Sequence, residues 1–78
     1  MEYIYDGILE SYHAREIAEE DNITEEEAAK RWFSEVIFEG EGHEDEMPTF
    51  HRFIDKIDDE WDMYYDYGAD YYFAVNNN

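Results

Sequence analysis

Residues 54–72, IDKIDDEWDMYYDYGADYY, decide how this chain folds. They hold Asp55, Asp58, Asp59, Glu60, Asp62, Asp66 and Asp70, opposed only by Lys56, with Trp61, Tyr64, Tyr65, Tyr67, Tyr71 and Tyr72 threaded between. Taken with the residues before them they carry a helical period, because Phe50, Phe53, Ile54, Ile57, Trp61, Tyr64 and Tyr65 recur three or four apart. The spacing predicts a helix that Pro48 and Thr49 open and that ends before Gly68. Asp55, Asp58, Asp59, Asp62 and Asp66 then share the opposite face. At about 1.5 Å rise per residue they span roughly 16 Å, or one carboxylate per roughly 3.3 Å. A nucleic-acid strand carries one phosphate per about 3.4 Å. From Ile57 onward there is no Lys or Arg against six acids. A solvated face normally mixes both signs, and segregating one sign costs stability. The segregation therefore points to the electrostatic field itself as the useful property.

Working outward, residues 2–5 (EYIY) alternate polar and apolar before Asp6-Gly7, which reads as a short strand and a turn. From Ile8 to about Asp21, Leu9, His13 and Ile17, with Ala14 and Ala18, follow a helical period. Thr24-Glu25-Glu26-Glu27 is a capping box and starts a second helix. Its apolar stripe is Ala28, Ala29, Trp32, Phe33, Val36 and Ile37, and Glu26–Lys30 and Glu27–Arg31 stand in favourable i,i+4 order. It should stop near Gly40. Residues 39–49, EGEGHEDEMPT, read as an acidic loop, and DYYFAV, residues 70–75, as an aromatic and β-branched strand. The expected fold is α+β and mostly helical: three helices between two short terminal strands that pair, in the order β-α-α-α-β. Residues 1–78 form a single domain with a frayed tail at 76–78. Trp32, Phe33, Phe53, Ile57 and Trp61 are its candidate core.

Composition sets the class of partner. The 78 residues carry a net charge of −18, which favours disorder, but aromatics make up 19% of them, which disordered chains do not. The balance is a folded domain with an acidic skin. It has no cysteine, so disulfides and thiolate metal sites are excluded. No basic stretch followed by an apolar run opens the chain, and no segment approaches the ~20 apolar residues of a membrane span. The expectation is a soluble, cytoplasmic protein that repels nucleic acid and anionic lipid and binds something basic. Whether it is a monomer or a dimer is left open.

Catalytic chemistry is poorly supplied. Ser11, Ser34, Thr24 and Thr49 sit in no nucleophile motif, and carboxylates are too abundant to single out an acid–base pair. The expectation is that the chain is not an enzyme and needs no cofactor. His43-Glu-Asp-Glu-Met47 lacks the second histidine of a zincin motif, and the acidic loop lacks the calcium-loop pattern, so no metal site is expected beyond loose divalent binding. A helix-turn-helix over residues 14–33 would present Glu25, Glu26 and Glu27 to phosphates, which is the wrong sign.

In size, charge, lack of cysteine and interleaved Asp and Tyr, the chain resembles the acidic DNA-mimic inhibitors of phages and mobile elements, of the anti-CRISPR and anti-restriction type. That resemblance covers composition along the whole chain and shares no motif. It implies occupation of the nucleic-acid groove of a host defence complex, a CRISPR effector first and a restriction enzyme second, in the host cytoplasm. The residues expected to contact such a partner are Asp55, Asp58, Asp59, Asp62, Asp66 and Asp70, the loop acids Glu44, Asp45 and Glu46, and Tyr67 and Tyr71. The competing expectation is a small acidic adaptor that binds through a tyrosine-rich patch.

Overall fold

Consecutive strand residues point to opposite faces of a sheet, so a strand with no polar alternation is buried on both. Tyr72, Phe73, Ala74 and Val75 are such a run, and all four are at most 5% exposed. They lie in the last strand of a computed structural model that describes residues 1–38 and 40–77. The elements are β1 (Glu2–Glu10), α1 (Ser11–Asp21), α2 (Glu25–Val36), β2 (Gly42–Asp45), β3 (His51–Lys56), β4 (Trp61–Asp66) and β5 (Tyr71–Asn76). The strands form one antiparallel sheet in the order β2-β1-β5-β4-β3, with β5 at its centre. The pairing of the two terminal strands is as expected.

The mostly helical architecture is overturned. Where the third helix was expected there is a β3–β4 hairpin, and the acidic loop contains β2. The physical reason lies in β4. Trp61, Met63 and Tyr65 alternate with Asp62, Tyr64 and Asp66, and aromatic residues favour a pleated surface. Asp58 and Asp66 act as turn residues: Asp58 Oδ1 accepts from the backbone N–H groups of Glu60 (2.8 Å) and Trp61 (2.9 Å), and Asp66 Oδ1 from Gly68 (2.8 Å) and Ala69 (3.0 Å). Both carboxylates thereby stabilise chain reversals that a continuous helix does not have.

Smaller expectations divide. Thr24 is the N-cap of α2, its Oγ1 accepting from Glu27 N–H at 3.1 Å. The i,i+4 pairs do not form: Lys30 reaches Asp55 at 3.0 Å and Arg31 reaches Asp21 at 2.6 Å. α2 ends at Val36, short of Gly40. Asp6-Gly7 is not a turn. β1 runs through it, four positions from Ile4 to Ile8 opposing two from Val75 to Phe73 on β5. The tail is tied down as far as Asn77, whose backbone N–H donates to Glu60 O at 2.8 Å. Asn78 lies outside the described residues, as does Glu39 of the expected loop.

Both helices pack on one face of the sheet. Phe33, Ile37, Ala14 and Ala29 meet Tyr5, Leu9, Met63, Tyr72 and Ala74, with Trp32, Ile57 and Trp61 half-buried at the margin. Tyr5 anchors this core: its ring stands edge-on to Phe33 and Trp61, and its hydroxyl donates to Val36 O at 3.1 Å. A Cβ at Gly40 would lie 1.9 Å from that ring, so only glycine fits there. Phe53, expected in the core, points to the other face and is 52% exposed.

The second face has no helix, yet Phe73 on it is 2% exposed. β2 and β3 lie at opposite edges, so the link between them must cross the sheet. Asp45 lies at one end of the sheet and His51, which faces Asp66, at the other, so residues 46–50 form a strap that runs diagonally between them. Glu46 and Pro48 in it overlie Ile8, Tyr71 and Phe73 in a shallow cleft of about 170 Å³.

This packing reverses the helical reading, which put Phe53 in the apolar stripe and left Met63 out of it. Met63→Ala, at a fully buried site, should cost about 2–5 kcal/mol in urea unfolding, and Phe53→Ala under about 1 kcal/mol. The reverse order would mean that the 50–66 segment presents its other face to the helices.

Candidate partner-binding surface

The register brings acids from distant parts of the chain to one end of the sheet. Asp45 on β2 faces Glu2 on β1, Tyr3 next to it faces Asn76 on β5, Asn76 faces Trp61 on β4, and Asp62 faces Lys56 on β3. These pairs occupy adjacent levels at one end of the sheet: Asp62 is level with Val75, Ile4 and His43, and Glu2 and Asp45 lie two positions beyond. Glu44 and Glu46 flank Asp45, and the turn 57–60, with Asp58, Asp59 and Glu60, projects beyond β3 and β4. At about 4.8 Å per strand and 3.3 Å per residue, Glu2 lies about 12 Å and Asp45 about 16 Å from Asp62. These separations exceed the screening length of roughly 8–10 Å at physiological salt, so each acid there interacts chiefly with its near neighbours, and the combined field is strongest at low salt. Asn77 Nδ2 donates to Asp62 Oδ1 at 3.2 Å and supplies a neutral floor between the two groups.

The expected contact residues therefore separate. Asp58, Asp59, Asp62, Glu44, Asp45 and Glu46 come together on this rim. Asp55 does not join them: it faces the helices and bonds Lys30, which holds its carboxyl below the usual carboxylate range. Asp66 and Asp70 lie at the opposite end, in the β4–β5 turn. Asp66 is 6% exposed and spends its carboxylate on that turn. Asp70 sits at φ 64°, where Asp is tolerated, and accepts from the Tyr65 hydroxyl. That bond, then a second from Ser11, lowers the Asp70 carboxyl. Tyr67 is 54% exposed against Phe50, and Tyr71 is half-buried beside the strap. The linear stripe at phosphate spacing does not exist. A two-dimensional acidic rim does, and it includes Glu2 and Glu60, which the sequence reading left out because only strand register places them.

The cations lie mostly on the helical side. Arg15 bonds Glu25 at 3.0 Å, Lys30 bonds Asp55, Arg31 bonds Asp21, and Arg52 stands over the Tyr65 ring. Exposed pairs of this kind contribute about 0–1 kcal/mol each, so their main effect is to leave the rim without compensation. Lys56, opposite Asp62, is the one Lys or Arg among these paired residues. A polar chain also fastens the helices to the far end of the sheet. Tyr72 donates to Glu25 at 2.6 Å, and Glu25 holds Arg15. Burial, then that bond, pushes the Tyr72 phenol far up.

Among the described residues, no group of three or more His, Asp or Glu is arranged to hold a metal ion, and no helix is long and apolar enough to cross a membrane. No protein-family model, curated protein or solved structure matches the chain.

His43 links this end of the sheet to the strap side. It lies on β2 with Nδ1 bonded to Asp6 and Nε2 3.5 Å from Asp45 Oδ2, and Glu46 lines the same cleft. The Asp6 bond, then Asp45, raises the imidazole above its ordinary 6.5. A histidine raised by folding stabilises fully below the unfolded value and ceases to do so as pH rises through the folded one. The thermal stability lost in His43→Gln should therefore be largest near pH 6 and shrink by pH 9. A gap that widens with pH would contradict the contact.

Proposed function

We propose that this chain is a nucleic-acid-mimicking inhibitor: it binds another protein by setting carboxylates where that protein's basic groove holds phosphates. The supporting observation is the rim itself. Six of the acids expected at a partner interface, drawn from β2, the strap and the β3–β4 hairpin, converge with Glu2 and Glu60 at one end of a rigid sheet. A fold selected for stability alone would disperse them or interleave cations. Complementary fields raise association rates and make binding salt-sensitive. CRISPR effectors are the first partners to test, because they hold a heteroduplex in a positively charged channel. Restriction enzymes are the second, and both place the chain in the host cytoplasm. The tyrosine adaptor is less well supported, since Tyr71 lines the cleft with Pro48 while Tyr67 packs on Phe50 at the end of the strap.

The test uses exposed rim residues that hold no turn together. Asp58 is unsuitable, because its carboxylate stabilises the hairpin. Asp59→Lys with Glu60→Lys should keep the circular dichroism spectrum and weaken binding to the purified effector by about tenfold or more, on the order of 1–3 kcal/mol for two reversed charges. The parent should lose affinity between low and high salt and be displaced by a cognate oligonucleotide. A folded double variant that binds as tightly as the parent would remove the rim from the interface.

A further inference from the structure

The face opposite the helices carries a row of aromatic rings as well as the strap. Phe53, Tyr64, Phe73 and Tyr71 follow one another across β3, β4 and β5 with centroids 5.6, 5.7 and 6.1 Å apart. Phe73 is buried, but the row ends in the open at Phe53, which is 52% exposed. At the end of the β3–β4 hairpin away from Asp62, Phe50 and Tyr67 form a second pair at 5.7 Å, 56% and 54% exposed, fixed by a backbone bond from Tyr67 N–H to Phe50 O at 3.2 Å. Rings held by the backbone and by neighbouring rings lose little entropy on binding.

Charge complementarity identifies what covers them. The chain carries −18, and Asp62 stands two positions from Tyr64 on the same face of β4. Burial, then Asp62 and Glu2, raises the Tyr64 phenol, so both acids lie within electrostatic reach of it. Three of the five Lys and Arg side chains are engaged in ion pairs, a fourth, Arg52, stands 5.8 Å over the Tyr65 ring on the helical face, and the fifth, Lys56, faces Asp62 across the hairpin without an ion pair to it. The molecule thus uses a ring to seat a guanidinium on one face and leaves comparable rings open on the other. An aromatic face attracts a cation, and a guanidinium, planar and weakly hydrated, stacks on a ring while its fork reaches a carboxylate. Lysine's strongly hydrated ammonium does this less well.

We infer that Phe53 and Tyr64, with Phe50 and Tyr67 further along the same hairpin, form a docking surface for arginine side chains of a basic polypeptide, with Asp62 receiving the guanidinium fork of the one seated at Tyr64. The inference rests on the reading of the partner as basic and makes its arginines the residues recognised. A negatively charged strand stacking its bases is disfavoured by the same net charge.

The experiment titrates hexa-arginine and hexa-lysine peptides, equal in charge, into the isotope-labelled full chain at physiological salt, followed by NMR. Hexa-arginine should bind about fivefold tighter or more, two exposed ring contacts at about 0.5–1 kcal/mol each, and shift the Phe50, Phe53, Tyr64 and Tyr67 ring signals. Phe53→Leu with Tyr67→Leu should bring hexa-arginine down to the hexa-lysine affinity and leave hexa-lysine unchanged. Tyr67→Leu alone, at an exposed turn, should give part of that loss without threatening the fold. Equal affinities for the two peptides in the parent, or a preference that survives the substitutions, would overturn the inference. So would a dimer in sedimentation that the leucine variant dissolves, which would assign the rings to a second copy. The rim is judged separately. Asp59→Lys with Glu60→Lys should weaken both peptides alike and preserve their ratio, so loss of the ratio bears on the rings and loss of shared affinity on the rim.

Discussion

Everything in this molecule depends on the first strand pairing with the last. β1 and β5 meet from Tyr3–Asn76 to Glu10–Tyr71, the widest separation in sequence the chain offers. Closing so long a loop has an entropic cost, which grows only slowly with length. It is offset by β5, whose four central residues lose nearly all contact with water. With β5 central, β2 and β3 are forced to the edges, and the five residues between them must cross the uncovered face. The strap is therefore a consequence of topology. It also solves a packing problem, because it covers Phe73 where no helix is available.

The same pairing organises charge. β1 and β5 set the register of their neighbours, and that register carries Glu2, Asp45 and Asp62 to one end of the sheet with the hairpin acids beyond them. The helices take up Arg15, Lys30 and Arg31 in pairs with Glu25, Asp55 and Asp21 on the opposite side. Three ion pairs thus lie on one side, while acids are concentrated on the other with only His43 and Lys56 among them. Such an arrangement is costly in an isolated molecule and favourable against a basic surface, which is the link from fold to proposed role. Exposed rings on the strap face add a contact that charge alone does not provide.

Several elements were legible in the sequence because their signals are local. Thr24 and the three glutamates after it mark a helix start by capping chemistry. The run Asp70–Val75 marks a strand by composition, though not its burial, which the central place of β5 supplies. The 50–66 segment was not legible by period. Phe53, Ile54, Ile57, Trp61, Tyr64 and Tyr65 fit steps of three and four, while Trp61, Met63 and Tyr65 fit steps of two, and tertiary pairing chose between them. Tyr64 and Tyr65, neighbours on one helical stripe, end on opposite faces. The turn chemistry of Asp58 and Asp66 carried the decisive hint, but it was submerged in a stretch where aspartate is everywhere. The acids of the rim were visible as composition. Their grouping was not, because Glu2 and Asp62 are neighbours of one surface only through β5.

The central claim is that strand register, and not a helical face, gathers the carboxylates. Cross-strand nuclear Overhauser contacts measure it directly. Contacts between Glu2 and Asp45, Tyr3 and Asn76, Trp61 and Asn76, and Lys56 and Asp62 are the predicted result. A continuous series of i to i+3 contacts through residues 50–66, with those cross-strand pairs missing, would contradict it.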